Sequence, residues 1–224
     1  MDYLHGTDYQ IKQNADMFHC GSDTELLGCF MSVRKSDSVL DIGTNNGALL
    51  LYAAKRTPLK LTGIDLFEEV IEQAEYNAAY NHVNMELHVS SLQDYQGGPF
   101  DLIVCNPPYF HTLERKLKNE NPYLCAARHE EYLSMNELFR GAKRLLKSNG
   151  RFDMVYRPAD LSRLFLCAEK YGLYCNRMKV AYQSKGKNAK TVLLEFTFSK
   201  KRETIIEAPV FLDDRSTFGW EDEL

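Results

Sequence analysis

Between residues 38 and 156, short apolar runs alternate with segments whose apolar residues recur every three to four positions. The first pattern predicts strands buried on both faces, and the second predicts amphipathic helices. Strands are expected over residues 38–42, 60–65, 85–89, 100–105 and 151–156. Helices are expected over 47–55, carrying Leu49, Leu50 and Leu51, and over 67–81, where Val70, Ile71, Ala74, Ala78 and Ala79 share one side. A further amphipathic helix covers 135–147, with Ser148-Asn149-Gly150 as its stop. Pro158 suits the first turn of a helix running to Lys170. Two β-rich runs, 173–182 and 190–198, predict an antiparallel hairpin at a sheet edge.

This order predicts an α/β fold: a doubly wound, mainly parallel, seven-stranded sheet with an antiparallel C-terminal hairpin. The chain, 1–224, reads as a single domain. Residues 111–129 are polar, charged and interrupted by Pro122, which reads as a substrate loop. The tail, 203–224, holds the only tryptophan, Trp220, and receives no role.

Composition adds mainly exclusions. At 224 residues and 44% hydrophobic content, one core of useful size is expected. The net charge of −4 does not advertise a nucleic-acid partner, so any such binding needs a local basic patch. No apolar run reaches the roughly 18 residues of a membrane span, and the N-terminus lacks the pattern of a signal peptide. The six cysteines form no C-x-x-C pair and have no histidines at zinc spacing. They read as reduced, mostly buried thiols in a cytoplasmic protein without a metal. A monomer or weak dimer is expected.

The candidate chemistry sits at two strand ends. Asn106-Pro107-Pro108-Tyr109 follows the run 100–105. An exocyclic amine on a purine is a poor nucleophile, because its lone pair is delocalised into the ring. The Asn106 oxygen and the Pro107 carbonyl can accept its two hydrogens and favour a more pyramidal nitrogen, while Tyr109 offers a face for stacking. Upstream, Asp41-Ile42-Gly43-Thr44-Asn45-Asn46-Gly47 joins a strand to a helix by a glycine turn. Asp65 ends the next strand about twenty residues on, where dinucleotide folds place an acid on ribose hydroxyls. These residues alone fit either a nicotinamide dinucleotide or S-adenosylmethionine. Leu92, in the turn after the third strand, is a candidate to pack on an adenine ring.

The glycine turn resembles motif I of class I S-adenosylmethionine-dependent methyltransferases, usually D-x-G-x-G-x-G, with Asn45 in place of the middle glycine. Asparagine tolerates positive φ, so the turn can survive. Asn106 to Tyr109 is similar to motif IV of amino-methyltransferases. Residues 18–28, with Gly21-Ser22-Asp23-Thr24-Glu25-Leu26-Leu27-Gly28, and the later Ala127-Arg128-His129-Glu130 resemble bacterial tRNA1(Val) (adenine(37)-N6)-methyltransferases. The resemblance implies S-adenosyl-L-methionine as cofactor, bound by Asp23, Asp41, Gly43, Thr44, Asn45, Gly47, Asp65 and Leu92. It also implies that 1–37 covers the cofactor, with Thr24 where glycine is common. Asp23-Thr24 reads equally as a helix N-cap before Leu26-Leu27.

Motif IV leaves the acceptor open: adenine N6, guanine N2 in rRNA and protein glutamine N5 all use it. The short segment before motif I argues against the glutamine enzymes, and nothing in the sequence reads as a domain for recognising duplex DNA. A poorly paired tRNA anticodon-loop base fits best, since its extrusion costs little. A non-catalytic cofactor- or RNA-binding module is the other reading, motivated by Asn45. RNA contact is expected from Lys185, Lys187 and Lys190, with further clusters at Arg115, Lys116 and Lys118 and at Lys200, Lys201 and Arg202.

Overall fold

The computed structural model describes residues 1–14, 19–107, 133–200 and 203–219. Pro108, Tyr109, the loop 111–129 with its basic cluster, residues 127–130, Lys201, Arg202 and Trp220 lie outside the described residues.

Five parallel strands form the centre of one sheet: β3 (Ser38–Ile42), β4 (Lys60–Asp65), β5 (Glu86–Val89), β6 (Phe100–Cys105) and β7 (Leu146–Tyr156). The hairpin of β8 (Tyr174–Tyr182) and β9 (Ala189–Thr197) joins with β9 antiparallel to β7. The order is β5-β4-β3-β6-β7-β9-β8, the seven strands expected. Two strands of two residues from the tail, β10 (Ile205–Ile206) and β11 (Val210–Phe211), extend the sheet in parallel along β8. A separate antiparallel pair, β1 (Asp2–Tyr3) and β2 (Gln10–Ile11), lies at the N-terminus.

Neighbouring residues on a strand serve opposite faces, so two cores form. Leu40, Ile103, Phe152 and Phe196 pack with Leu138 and Phe139 of α4 (Met135–Leu145) and Leu164 of α5 (Leu161–Lys170). Val39, Leu102, Val104, Val155 and Leu193 pack with Leu26 and Leu27 of α1 (Ser22–Phe30) and Leu50 of α2 (Ala48–Ala54). The helix α3 (Glu68–Tyr80) connects β4 to β5. Among the described residues, no helix is long and apolar enough to cross a membrane. Of the five described cysteines only Cys105 is fully buried, the rest being half-buried, so the expectation of mostly buried thiols was too strong.

Most boundaries differ from the pattern reading by a single residue, and the larger differences lie around α4, β7 and α5. α4 starts at a capping box between Ser134 and Glu137, but ends at Leu145 rather than Lys147. Leu146 already pairs with Phe100, and Arg151 next pairs with Leu102, so Ser148-Asn149-Gly150 forms an irregular strand entry and not a helix stop. Pro158 opens a 3-10 turn, Pro158–Asp160, that leads into α5.

Candidate active site

Strand order reverses around β3, whose two neighbours are β4 and β6. In an open α/β sheet the crevice at that point, beyond the carboxyl ends of the strands, is where ligands bind. Ile42 of β3 pairs with Cys105 of β6. Gly43 and Asn106 are therefore the next residues of adjacent parallel strands, and the glycine turn and the Asn-Pro pair emerge side by side.

The turn itself is built from positive φ angles: 70° at Gly43, 51° at Asn45 and 79° at Gly47. Asn45 thus occupies the left-handed region in which it substitutes for glycine at small cost. The Gly43 and Thr44 N–H groups both donate to the Ile64 carbonyl at 2.9 Å. The buried Thr44 side chain fits because β4 carries Gly63 there; a Cβ at Gly63 would lie 2.8 Å from Thr44 Oγ1. Asp65 closes the turn from β4. Its Oδ2 accepts from Asn45 N at 3.1 Å and its Oδ1 from Leu66 N at 2.8 Å.

Asp41 is fully buried, and among the described residues neither of its carboxylate oxygens has a partner at hydrogen-bond geometry. Burial pushes its pKa up to about 7; the Thr44 hydroxyl opposes that shift and the charge of Asp65 adds to it. Burial likewise raises Asp65, against the N–H groups of Asn45, Phe67 and Leu66. A buried acid without a partner is uncommon in a native protein and calls for an explanation.

Asn106, half-buried, donates from Nδ2 to Thr24 Oγ1 at 3.1 Å, and its Oδ1 has no partner among the described residues. Pro107 is buried beside it. Asp23 precedes Thr24 in the first turn of α1, and its carboxylate meets Thr191 of β9 (2.9 Å) and Arg157 after β7 (3.7 Å). Those partners anchor α1 to the sheet on the Asn106 side. Gly21, and neither Asp23 nor Thr24, is the N-cap of α1.

Leu92 turns inward. It is only 5% exposed and packs on Gly141 of α4, where a Cβ would meet it at 2.5 Å. Ser90 and Ser91 are the more exposed residues of that turn. Lys185 and Lys187 are exposed on the β8–β9 connection, and the half-buried Lys190 is the second residue of β9. Because β8 runs parallel to β7, that connection lies at the same end of the sheet as Gly43 and Asn106.

Three contributors were invisible to motif reading. Asn77 is fully buried in α3 and bridges the Asn46 carbonyl (2.9 Å) to the N-terminal segment, donating to Lys12 O and accepting from Lys12 N. Its signal was a polar residue on the Val70, Ile71, Ala74 face. Arg144 of α4 donates to the Leu92 and Tyr95 carbonyls at 2.7 Å each, holding the turn after β5. Thr24 holds Asn106, and nothing local to either residue announces that.

Comparison with known proteins agrees with this geometry. Residues 9–166 match the family model described as "Methyltransferase small domain". A tRNA1(Val) (adenine(37)-N6)-methyltransferase of Pseudoalteromonas translucida is 30% identical, covering 90% of this chain and 86% of the relative. The protein of that name from Phocaeicola vulgatus is 35% identical over 80% of this chain and 76% of its own. Among solved structures, a methyltransferase from Pyrococcus furiosus superposes with a TM-score of 0.63 at 21% identity, covering 86% of this chain and 90% of that one. With the turn, the two acids and the Asn-Pro pair gathered at one crevice, the chain belongs to the methyltransferase small-domain family: it is a methyltransferase.

Proposed function

We propose that the protein transfers a methyl group from S-adenosyl-L-methionine to N6 of an adenine in tRNA, at the anticodon-loop adenine 37 named for its relatives. The observation that carries this reading is the orientation of Asn106. Its Nδ2 is tied back to Thr24, which leaves Oδ1 as an acceptor at the carboxyl end of β6. An acceptor there suits an amine that must give up hydrogen-bonding hydrogens, and suits a carbonyl or carboxylate substrate poorly.

The residues of the β3–α2 turn fit the cofactor's chemistry. It carries positive charge and a ribose diol, and the turn offers the Asp41 carboxylate, unpartnered among the described residues, the Asp65 carboxylate and open space beside Gly43. Gly43, Thr44, Asn45 and Gly47 would line it, Asp65 would take the ribose and Asp41 the cationic end. When bound, the cofactor supplies a methyl group activated on a sulfonium sulfur. The protein's own part is positioning and electrostatics. Asn106 Oδ1 and the Pro107 carbonyl accept the two amine hydrogens, which localises the nitrogen lone pair. Tyr109 provides the stacking face. The proton leaves as the nitrogen becomes cationic and therefore acidic, so no strong base is required.

Asp23 is held by Thr191 and Arg157, and we assign it to fixing α1 over this site. Leu92 supports the adenine end from within the core, and Lys185, Lys187 and Lys190 are assigned to the RNA backbone. Nucleoside mass spectrometry of tRNA from cells with and without the gene tests the reading. Loss of N6-methyladenosine from one tRNA is expected; an unchanged set of methylated nucleosides would remove it.

A further inference from the structure

A carboxamide works as an amine clamp in only one of its two flipped orientations. With Oδ1 outward it accepts from the amine; with Nδ2 outward it sets one NH2 group against another. Torsion about the terminal side-chain bond does not itself prefer either. Something must choose, and among the described residues the hydrogen-bond partner of the Asn106 side chain is the Thr24 hydroxyl at 3.1 Å.

The carboxamide is set with its NH2 toward that hydroxyl, so Thr24 Oγ1 accepts and Asn106 Oδ1 faces away from it. Thr24 is 6% exposed, so water competes little for these groups. Its platform is rigid. Asp23 is pinned to β9, Leu26 and Leu27 are buried in the core, and Gly28 lets the Tyr52 ring pack where a Cβ would lie 2.5 Å from it.

We infer that Thr24 is a positioning residue for methyl transfer, which fixes the Asn106 carboxamide with its oxygen toward the acceptor amine. The inference rests on the amine-methyltransferase reading, and its role is exerted through Asn106 without contact to the acceptor. The segment Asp23-Thr24-Glu25-Leu26-Leu27-Gly28 then serves the acceptor side of the site.

The test compares Thr24→Val, which keeps shape and loses the hydroxyl, with Thr24→Ser, which keeps it. Loss of one orienting hydrogen bond predicts a kcat lowered about tenfold in Thr24→Val. The KM for tRNA and the affinity for S-adenosylhomocysteine should stay within about twofold, and Thr24→Ser should retain most of the activity. Placed on Asn106→Ala, Thr24→Val should cost nothing further. Wild-type kcat in Thr24→Val, or an equal loss on the Asn106→Ala background, would overturn the inference.

A readout free of the acceptor keeps the two readings apart. In amide NMR of the full chain, one Asn106 side-chain proton, assigned by its loss in Asn106→Ala, should exchange slowly in the wild type and in Thr24→Ser and rapidly in Thr24→Val. Equal exchange in wild type and Thr24→Val refutes the role of Thr24 whatever the tRNA assay shows. Distinct exchange with no methyl transfer to any tRNA refutes the proposed substrate and leaves Thr24's role standing.

Discussion

The turn after β3 is held by its own neighbourhood, whereas the end of β6 is held from across the chain. Gly43, Thr44 and Asn45 bond to Ile64 and Asp65, the residues that end the adjacent strand. Asn106 instead bonds to Thr24, 82 positions away, and the neighbouring Asp23 bonds to Thr191, 168 positions away. The proposed cofactor turn is built from backbone geometry, the buried Asp41 and the half-buried Asp65. The acceptor site depends on side chains that only the tertiary fold brings together. Substitutions at the two places should therefore separate binding from transfer.

The largest effect is expected from Asn106→Ala. Removing a preorganised acceptor should lower kcat by about 10²–10³-fold with S-adenosylhomocysteine affinity unchanged, as single-turnover assays and calorimetry would report. Next is Asp65→Ala, which leaves the Asn45 and Leu66 N–H groups without their carboxylate. Calorimetry should show S-adenosylhomocysteine binding weakened about 10–100-fold, with kcat at saturation much less affected. Loss of turnover without loss of binding in that variant would erase the distinction between the two halves.

A smaller effect concerns pH. The folded Asp41 titrates near 7 because burial disfavours its charge, whereas in the unfolded chain it titrates in the ordinary carboxylate range. Between about pH 4 and 7 the unfolded state loses this proton first, so Asp41 makes stability fall with rising pH and level off above 7. Asp41→Asn should thus gain stability relative to wild type as pH rises through that window, read as a difference in Tm. Asp153, also pushed up to about 7 by burial and the nearby Glu195 charge, is present in both proteins and cancels from the difference. A cationic ligand should reverse the trend, with binding improving toward pH 7 and releasing a proton. Parallel Tm curves for the two proteins would contradict the role given to Asp41. The smallest effect is expected from Lys185→Gln with Lys187→Gln: a salt dependence of tRNA binding flattened by about 1–2 in log–log slope, and kcat unchanged. An unaltered slope would take the β8–β9 connection out of the RNA surface.

What was legible in the sequence follows the same division. Ser38–Ile42, Lys60–Asp65 and Phe100–Cys105 were readable to the residue, because buried parallel strands are continuous apolar runs ended by turn residues. Asn45 at positive φ followed from asparagine's own preference. The strand entry at Leu146 was not readable, since an irregular register leaves no period to detect. Strands of two residues, Ile205–Ile206 and Val210–Phe211, are too short for any pattern, and their pairing along β8 comes from the sheet edge. Leu92 looked like a ligand surface because its loop position was visible and its packing against Gly141 was not. The Thr24–Asn106 bond has no local signature at all.

Methyl transfer to tRNA in vitro, read by nucleoside mass spectrometry and mapped to position, tests the central claim most directly. With S-adenosyl-L-methionine, the wild-type protein should produce N6-methyladenosine at adenine 37 of one tRNA, and Asn106→Ala, which still binds S-adenosylhomocysteine, should produce it about 10²–10³-fold more slowly. A methyl group on another atom, or equal product from the two proteins, would contradict the account.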